Sequence, residues 1–189
     1  MLFYTEPEKD RFKMRIKIFE EVGIPALNKH GFTQSPFSGA CFGKYDRNLY
    51  CYDFCRIGTN ANLEMITTYI NRRDKWVKVF LNIFKPLPDL QSLDLLKNLD
   101  GIQFHLPPNS ITEMRLRSDD RKYVPLFYLF SQEHKIGTYF TKWGYNRSIK
   151  ALTNLIGKDM DNIDYYVKRW HEIHRYPLET NWDGFPCLE

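Results

Sequence analysis

The residues with the clearest chemical potential lie in one short segment, in which two thiols flank a carboxylate. Cys51, Asp53 and Cys55 alternate within a stretch that has the period of a β-strand, so their side chains share one face. Cysteines at this spacing on a strand are separated by about 13 Å, at roughly 3.3 Å per residue. Two sulfurs bound to one zinc ion lie within about 4 Å of each other. One metal ion therefore cannot bind both thiols, and we predict that they pack as small apolar residues.

Asp53 is a candidate for chemistry because a buried carboxylate must be paired, hydrogen-bonded or protonated. His171 and His174 could join it if the fold brings the three side chains together. The histidine pair is one residue short of the His-Glu-x-x-His zinc motif, whose spacing aligns two imidazoles on a helix face, so no metal site is predicted. Asp53, His171 and His174 form a candidate hydrolase or phosphoesterase site, and the alternative is that they are hydrogen-bonded structural residues.

Motifs of the common enzyme classes are absent from the sequence. It contains neither the Gly-x-Ser-x-Gly motif of serine hydrolases nor the glycine-rich motifs of nucleotide-binding proteins. We therefore expect no cofactor and favour a function other than catalysis.

A second group of residues could form a binding surface. Tyr50, Tyr52, Phe54 and Arg56 share the strand face opposite Cys51, and Trp76, Lys78 and Phe80 come from a nearby strand. Aromatic and basic residues on a sheet can stack nucleic-acid bases, and Tyr, Trp and Arg are also common in protein interfaces. A sheet covered by helices would instead bury these aromatic residues in its core. The candidate binding residues are Tyr50, Tyr52, Arg56, Trp76 and Lys78.

The first half of the chain must position these residues. Apolar residues at helical spacing predict a helix from Pro7 to His30, which Gly31 caps and Pro25 interrupts near Val22. A period of two then predicts an antiparallel meander of three strands. Its strands are Leu49–Ile57, Leu63–Asn71 and Trp76–Phe84, and Val77, Val79, Leu81 and Ile83 of the third face the core.

The second half of the chain has weaker signals before its helices. We predict a short helix at Ser92–Asn98, strands at Ile102–Leu106 and Ile111–Arg117, and a hairpin or a short helix within Tyr123–Trp143. Two C-terminal helices follow: the first ends at Gly157, and the second carries Ile163, Tyr166, Val167, Trp170 and Ile173 on its apolar face. The predicted fold class is α+β: a mainly antiparallel sheet packed by an N-terminal helix and two C-terminal helices.

Length and composition are consistent with one domain over residues 1–189. Of its 189 residues 43% are apolar, and the formal net charge of +4 favours no class of partner strongly. The N-terminal segment lacks the apolar run of a signal peptide, and no apolar run approaches the roughly 20 residues of a membrane span. We therefore expect a soluble, cytoplasmic protein with free cysteines and no membrane partner.

The segment Ile24–Phe32 ends a predicted helix in Gly31-Phe32 and precedes aromatic strands. This arrangement resembles the opening of a group of uncharacterised bacterial α+β domains, some of which are associated with immunity proteins of polymorphic toxins. The resemblance covers about the first 85 residues and implies no catalytic residues.

The leading functional hypothesis is a non-enzymatic, immunity-like domain that binds a protein partner through a sheet face or a loop rim. The alternatives are the hydrolase or phosphoesterase described above and single-stranded nucleic-acid binding by the aromatic and basic residues. The sequence does not indicate an oligomeric state.

Overall fold

A computed structural model describes residues 4–86, 89–98, 112–120, 132–174 and 178–180. Its helices are α1 (Glu8–Ile18), α2 (Ile24–Lys29), α3 (Lys142–Asp161) and α4 (Ile163–Ile173). Its strands are β1 (Thr33–Gln34), β2 (Phe42–Lys44), β3 (Leu49–Ile57), β4 (Leu63–Asn71), β5 (Lys78–Pro86), β6 (Met114–Arg115) and β7 (Leu178–Thr180). A 3₁₀ turn spans Leu93–Asn98. The predicted strand Ile102–Leu106 and the first part of the predicted element Tyr123–Trp143 lie outside the described residues.

The strands form one mainly antiparallel sheet around the predicted meander. β3, β4 and β5 pair consecutively, with Leu49 opposite Asn71 and Leu63 opposite Phe84. β1 and β2 both pair with the free edge of β3, whereas β6 and β7 pair with the free edge of β5, β7 being parallel to it. The structure confirms the predicted α+β fold class, with an N-terminal helical segment and two C-terminal helices.

Helices cover one face of the sheet and form the larger core with it. Val77, Val79, Leu81 and Ile83 are all at most 1% exposed, as predicted. They share this core with side chains of all three helical regions, including Phe19, Leu27, Ile156 and Trp170. The opposite face carries a smaller core, in which Cys55, Met65 and Phe84 pack against Phe37, Leu90 and Leu96. Both faces of the sheet are therefore at least partly covered.

The N-terminal helical segment is interrupted where the sequence predicts it. A π-helical turn at Phe19–Gly23 separates α1 from α2. Pro25 cannot donate a backbone hydrogen bond to Glu21, and its ring crowds that carbonyl, so a regular helix is disfavoured there. The segment ends at Lys29, and Gly31 adopts a φ of +79°, which glycine tolerates without steric cost.

The prediction that Gly157 ends a helix is wrong, because α3 continues through it to Asp161. A β-carbon at position 157 would lie 2.9 Å from Cγ1 of Val22. The glycine therefore allows α3 to approach the π-helical turn closely. The predicted face of α4 is correct for Ile163, Tyr166 and Trp170, which are buried, whereas Ile173 is 39% exposed.

A buried ionic network anchors the last turn of α3. The carboxylate of Asp159 accepts hydrogen bonds from Nε of Arg117 at 2.6 Å and from Nη2 of the same guanidinium, and it lies 2.7 Å from Nε2 of His134. Burial raises the pKa of Asp159. The hydrogen bonds from Arg117 and His134 and their charges have the larger, opposite effect, so the pKa lies below the ordinary value of 3.8. The network holds α3 against the loops that follow β6.

Candidate functional site

The predicted binding residues Tyr50 and Tyr52 lie on the helix-covered face of the sheet. Tyr52 is 1% exposed, its ring centroid lies 5.2 Å from that of Phe19, and its hydroxyl donates a hydrogen bond to Glu20 at 2.7 Å. Tyr50 is partly buried and packs edge-on against Phe12 at 5.7 Å. Both tyrosines therefore contribute to the core beneath α1.

Arg56 lies on the same face, where its guanidinium links three elements. Nε donates to Glu64 at 2.7 Å, Nη1 donates to the carbonyl oxygen of His30 at 2.7 Å, and Nη2 donates to Asp164. The guanidinium also lies 4.4 Å from the ring centroid of Phe32. Arg56 thus ties β3 to α4 and to the end of α2.

Trp76 and Lys78 lie elsewhere. Because side chains alternate along a strand, Lys78 points to the side opposite Val79 and away from the helices; its ammonium is 3.0 Å from Asp74. The ring of Trp76 lies between two cations, 4.5 Å from the guanidinium of Arg115 and 4.7 Å from the ammonium of Lys135. The structure does not bring the five predicted binding residues onto one surface.

The predicted hydrolase residues are also separated. Asp53 is 2% exposed on the sheet face opposite Arg56. Its carboxylate accepts hydrogen bonds from the Cys41 N–H at 2.7 Å and from the Thr67 hydroxyl at 2.8 Å. These bonds satisfy the carboxylate locally, as a buried structural aspartate requires.

His171 and His174 belong to α4 and its C-terminal cap, on the helix-covered side of the sheet. The imidazole of His174 stacks on Trp170 with a centroid separation of 4.5 Å, and its Nδ1 lies 3.1 Å from the carbonyl oxygen of Trp170. Burial lowers the pKa of His174, and the charge of His171 lowers it further. The sheet separates both histidines from Asp53. Within the ranges that the structure describes, no cluster of three or more His, Cys, Asp or Glu could hold a metal ion.

A cleft of about 660 Å³ lies between the β3–β4 turn and α4, and His171 is on its wall. Ile57, Gly58 and Val167 are among the residues that line it. Burial raises the pKa of Glu64, although the hydrogen bond and the charge of Arg56 oppose this effect. A β-carbon on Gly58 would lie 1.9 Å from Oε1 of Glu64, so this glycine leaves room for the carboxylate. The cleft has the volume of a ligand site, but its buried charges are already paired with each other.

Among the residues that the structure describes, Trp143 in the first turn of α3 is the most exposed large apolar side chain. It is 71% exposed, and Phe140, three residues earlier, is 63% exposed. Arg147, Lys150 and Asn154 follow Trp143 at helical spacing and are exposed as well. We call the surface formed by Trp143, Arg147, Lys150 and Asn154 the outer face of α3; Phe140 lies just before the helix begins.

Several contacts behind this surface fix its position. The Thr141 hydroxyl caps α3 by accepting a hydrogen bond from the Gly144 N–H at 3.0 Å. Tyr139 and Tyr145 pack together with a centroid separation of 5.0 Å. The carbonyl oxygen of Phe140 accepts a hydrogen bond from the Tyr4 N–H at 3.0 Å. These contacts hold the backbone on both sides of Trp143 in place.

The outer face of α3 was not predicted as a site, although the sequence contains a signal for it. Trp143, Arg147, Lys150 and Asn154 stand at the spacing of one helix face, and that face is polar except for its tryptophan. The sequence interpretation assigned Trp143 to the ambiguous element before α3. A tryptophan on the polar face of an amphipathic helix is expected to be exposed, because the apolar stripe on the other side of the helix faces the core.

No helix among the described residues combines the length and the apolar composition needed to cross a membrane. Comparisons with protein families, with curated proteins and with solved structures found no match to this chain.

Proposed function

We propose that this chain is a non-enzymatic protein-binding domain and that the outer face of α3 contacts its partner. The observation that carries the proposal is the 71% exposure of Trp143, with Phe140, which is 63% exposed, three residues earlier in the chain. Contiguous exposed apolar surface rimmed by polar residues is typical of interaction sites. The resemblance of the segment Ile24–Phe32 to immunity-associated domains points in the same direction.

The energetics of interfaces favour this surface as the contact. Tryptophan and arginine are enriched among the few residues that dominate binding energy, and a buried tryptophan removes about 150–250 Å² from water. The guanidinium of Arg147 lies 5.6 Å from the Trp143 ring centroid, so the two side chains form one contact unit. The contacts behind this surface already hold its backbone in place, so binding would cost less conformational entropy than ordering a flexible segment.

The two alternative functions have less support. A hydrolase based on Asp53 requires His171 and His174 in the same cleft as Asp53, but the sheet separates both histidines from the aspartate. Nucleic-acid binding through the sheet requires exposed aromatic residues, but Tyr52 and Phe54 are each 1% exposed.

The test compares two exposed aromatic residues on different helices. Wild type, Trp143→Ala and Tyr165→Ala are immobilised and exposed to lysate of the native host, and bound proteins are identified by mass spectrometry. Tyr165, on α4, is 53% exposed and serves as the matched control. Both substitutions should change the free energy of unfolding by less than about 0.5 kcal/mol, because they remove surface side chains.

For a stoichiometric partner, Trp143→Ala should weaken binding by at least about 2 kcal/mol, or about thirtyfold in Kd, whereas Tyr165→Ala should leave Kd nearly unchanged. Equal effects of the two substitutions, or capture of no stoichiometric partner, would contradict the proposal.

A further inference from the structure

The outer face of α3 carries charge of one sign. Residues 142–158 contain no Asp or Glu. The outer face carries Arg147 and Lys150, and Lys142 and Lys158 are exposed elsewhere on the same helix. The first turn of α3 has no acidic residue, although acidic side chains are favoured at that position in helices.

The nearest acidic residues of α3 are already paired. Asp159 is buried in its network with Arg117 and His134, and Asp161 lies 3.7 Å from Lys29. None of the ion pairs among the described residues includes Arg147 or Lys150. The positive charge of the outer face is therefore directed outward.

The aromatic and basic parts of this surface have a fixed order along the helix. Trp143 stands at one end of the outer face, and Arg147 and Lys150 follow it. The exposed Lys158 lies about 22 Å from Trp143 along the helix axis, at about 1.5 Å per residue. The arrangement fits an elongated acidic surface with an apolar pocket at one end. Complementary charges of this kind fix the register of a complex and accelerate its association.

We propose that the partner of the outer face of α3 is an acidic protein segment that receives Trp143 in an apolar pocket and aligns its carboxylates with Arg147 and Lys150. This inference rests on the proposed protein-binding function. An anionic bilayer fits less well, because the outer face of α3 is apolar only at its N-terminal end, whereas a membrane-binding helix has an apolar face along its length. Nucleic acid fits less well, because the chain has only 27 basic residues against 23 acidic residues.

The experiment uses two double charge reversals that change the net charge equally. Arg147→Glu/Lys150→Glu changes the outer face of α3, and Lys9→Glu/Lys13→Glu changes an exposed pair on α1. The probes are fluorescent poly-L-glutamate and the purified partner that is captured through Trp143. Anionic phospholipid vesicles and single-stranded DNA are tested in parallel.

We expect the reversal on α3 to weaken binding of both probes by about tenfold, chiefly through slower association. The reversal on α1 should have little effect. Raising the salt from about 0.1 M to about 1 M shortens the Debye length from about 10 Å to about 3 Å and should weaken the wild-type complex. The same increase in salt should weaken the complex of the Arg147→Glu/Lys150→Glu variant much less.

The outcomes separate this inference from the proposed function. Loss of binding in Trp143→Ala without an effect of the α3 reversal would overturn the acidic partner and leave the protein-binding function intact. An absence of any effect of Trp143→Ala on capture would refute the proposed function and this inference together. Tighter binding of the wild type to vesicles or DNA than to both polypeptide probes would overturn the acidic-protein assignment.

Discussion

Replacement of Asp159 by asparagine should destabilise the protein strongly. Asp159 is 2% exposed and receives hydrogen bonds from Arg117 and His134. Asparagine has nearly the same shape but no charge, so it leaves two basic side chains facing a neutral amide. Removing one partner from a buried ionic group costs about 3–5 kcal/mol, and we expect Asp159→Asn to lower the free energy of unfolding by this amount.

Asp161→Asn is the matched control, because it makes the same change two residues later in α3. The side chain of Asp161 is 54% exposed, and its contact with Lys29 spans 3.7 Å. Exposed ion pairs contribute about 0–1 kcal/mol, so this substitution should have a small effect. Urea denaturation followed by circular dichroism gives both unfolding free energies by linear extrapolation.

The effect of Asp159→Asn should also depend on pH. The folded-state pKa of Asp159 lies below its ordinary value of 3.8, so its stabilisation is present above that value and is lost as the pH falls through the folded pKa. The difference in stability between wild type and Asp159→Asn should therefore shrink below about pH 4. If Asp159→Asn and Asp161→Asn differ by less than about 1 kcal/mol at neutral pH, the buried network around Asp159 does not stabilise the fold as proposed.

Three further substitutions test local features of the fold by urea denaturation. Gly157→Ala should destabilise by about 1–3 kcal/mol despite the higher helix propensity of alanine, because its β-carbon would lie 2.9 Å from Val22; a stabilised variant would argue against that close contact. Ala61→Gly should stabilise by about 0.5–1 kcal/mol, because Ala61 has a φ of +55°; a loss of stability would show that this turn is not strained. Asp53→Ala should destabilise by about 1–3 kcal/mol, because it leaves the Cys41 N–H without its acceptor; an unchanged midpoint would contradict the structural role of Asp53.

The central strands could be predicted from the sequence because one physical signal dominates them. β3 and β4 begin and end at the predicted residues, Leu49–Ile57 and Leu63–Asn71. Their alternation and their β-branched and aromatic residues are typical of strands in a sheet. β5 begins two residues later than predicted and continues to Pro86. A proline at the end of a strand is tolerated because it removes only one ladder hydrogen bond.

The sequence could not identify which sheet face the helices cover. Tyr52 and Phe54 alternate with Cys51, Asp53 and Cys55, and both sets are buried. When both faces are covered, the period of two shows which residues share a face but not what packs on it. Tyr52 and Phe54, which the sequence could equally assign to a binding surface, therefore lie in the core.

Contacts between distant segments explain the other differences. Gly157 has the residue type of a helix cap, but its role is to accommodate Val22, which lies far away in the sequence. Trp143 could belong either to a core or to a surface until the packing of its neighbour Tyr145 with Tyr139 is known. Local patterns contain no information about such partners.

Site-specific photo-cross-linking in the native host can show whether the partner contacts the outer face of α3. Benzoylphenylalanine replaces Trp143 in one variant and Tyr165 in another, and the cross-linked fraction of each is measured after irradiation. We expect a defined partner adduct from position 143 and little or none from position 165. Equal cross-linking from both positions, or an adduct only from position 165, would contradict the claim that the outer face of α3 binds the partner.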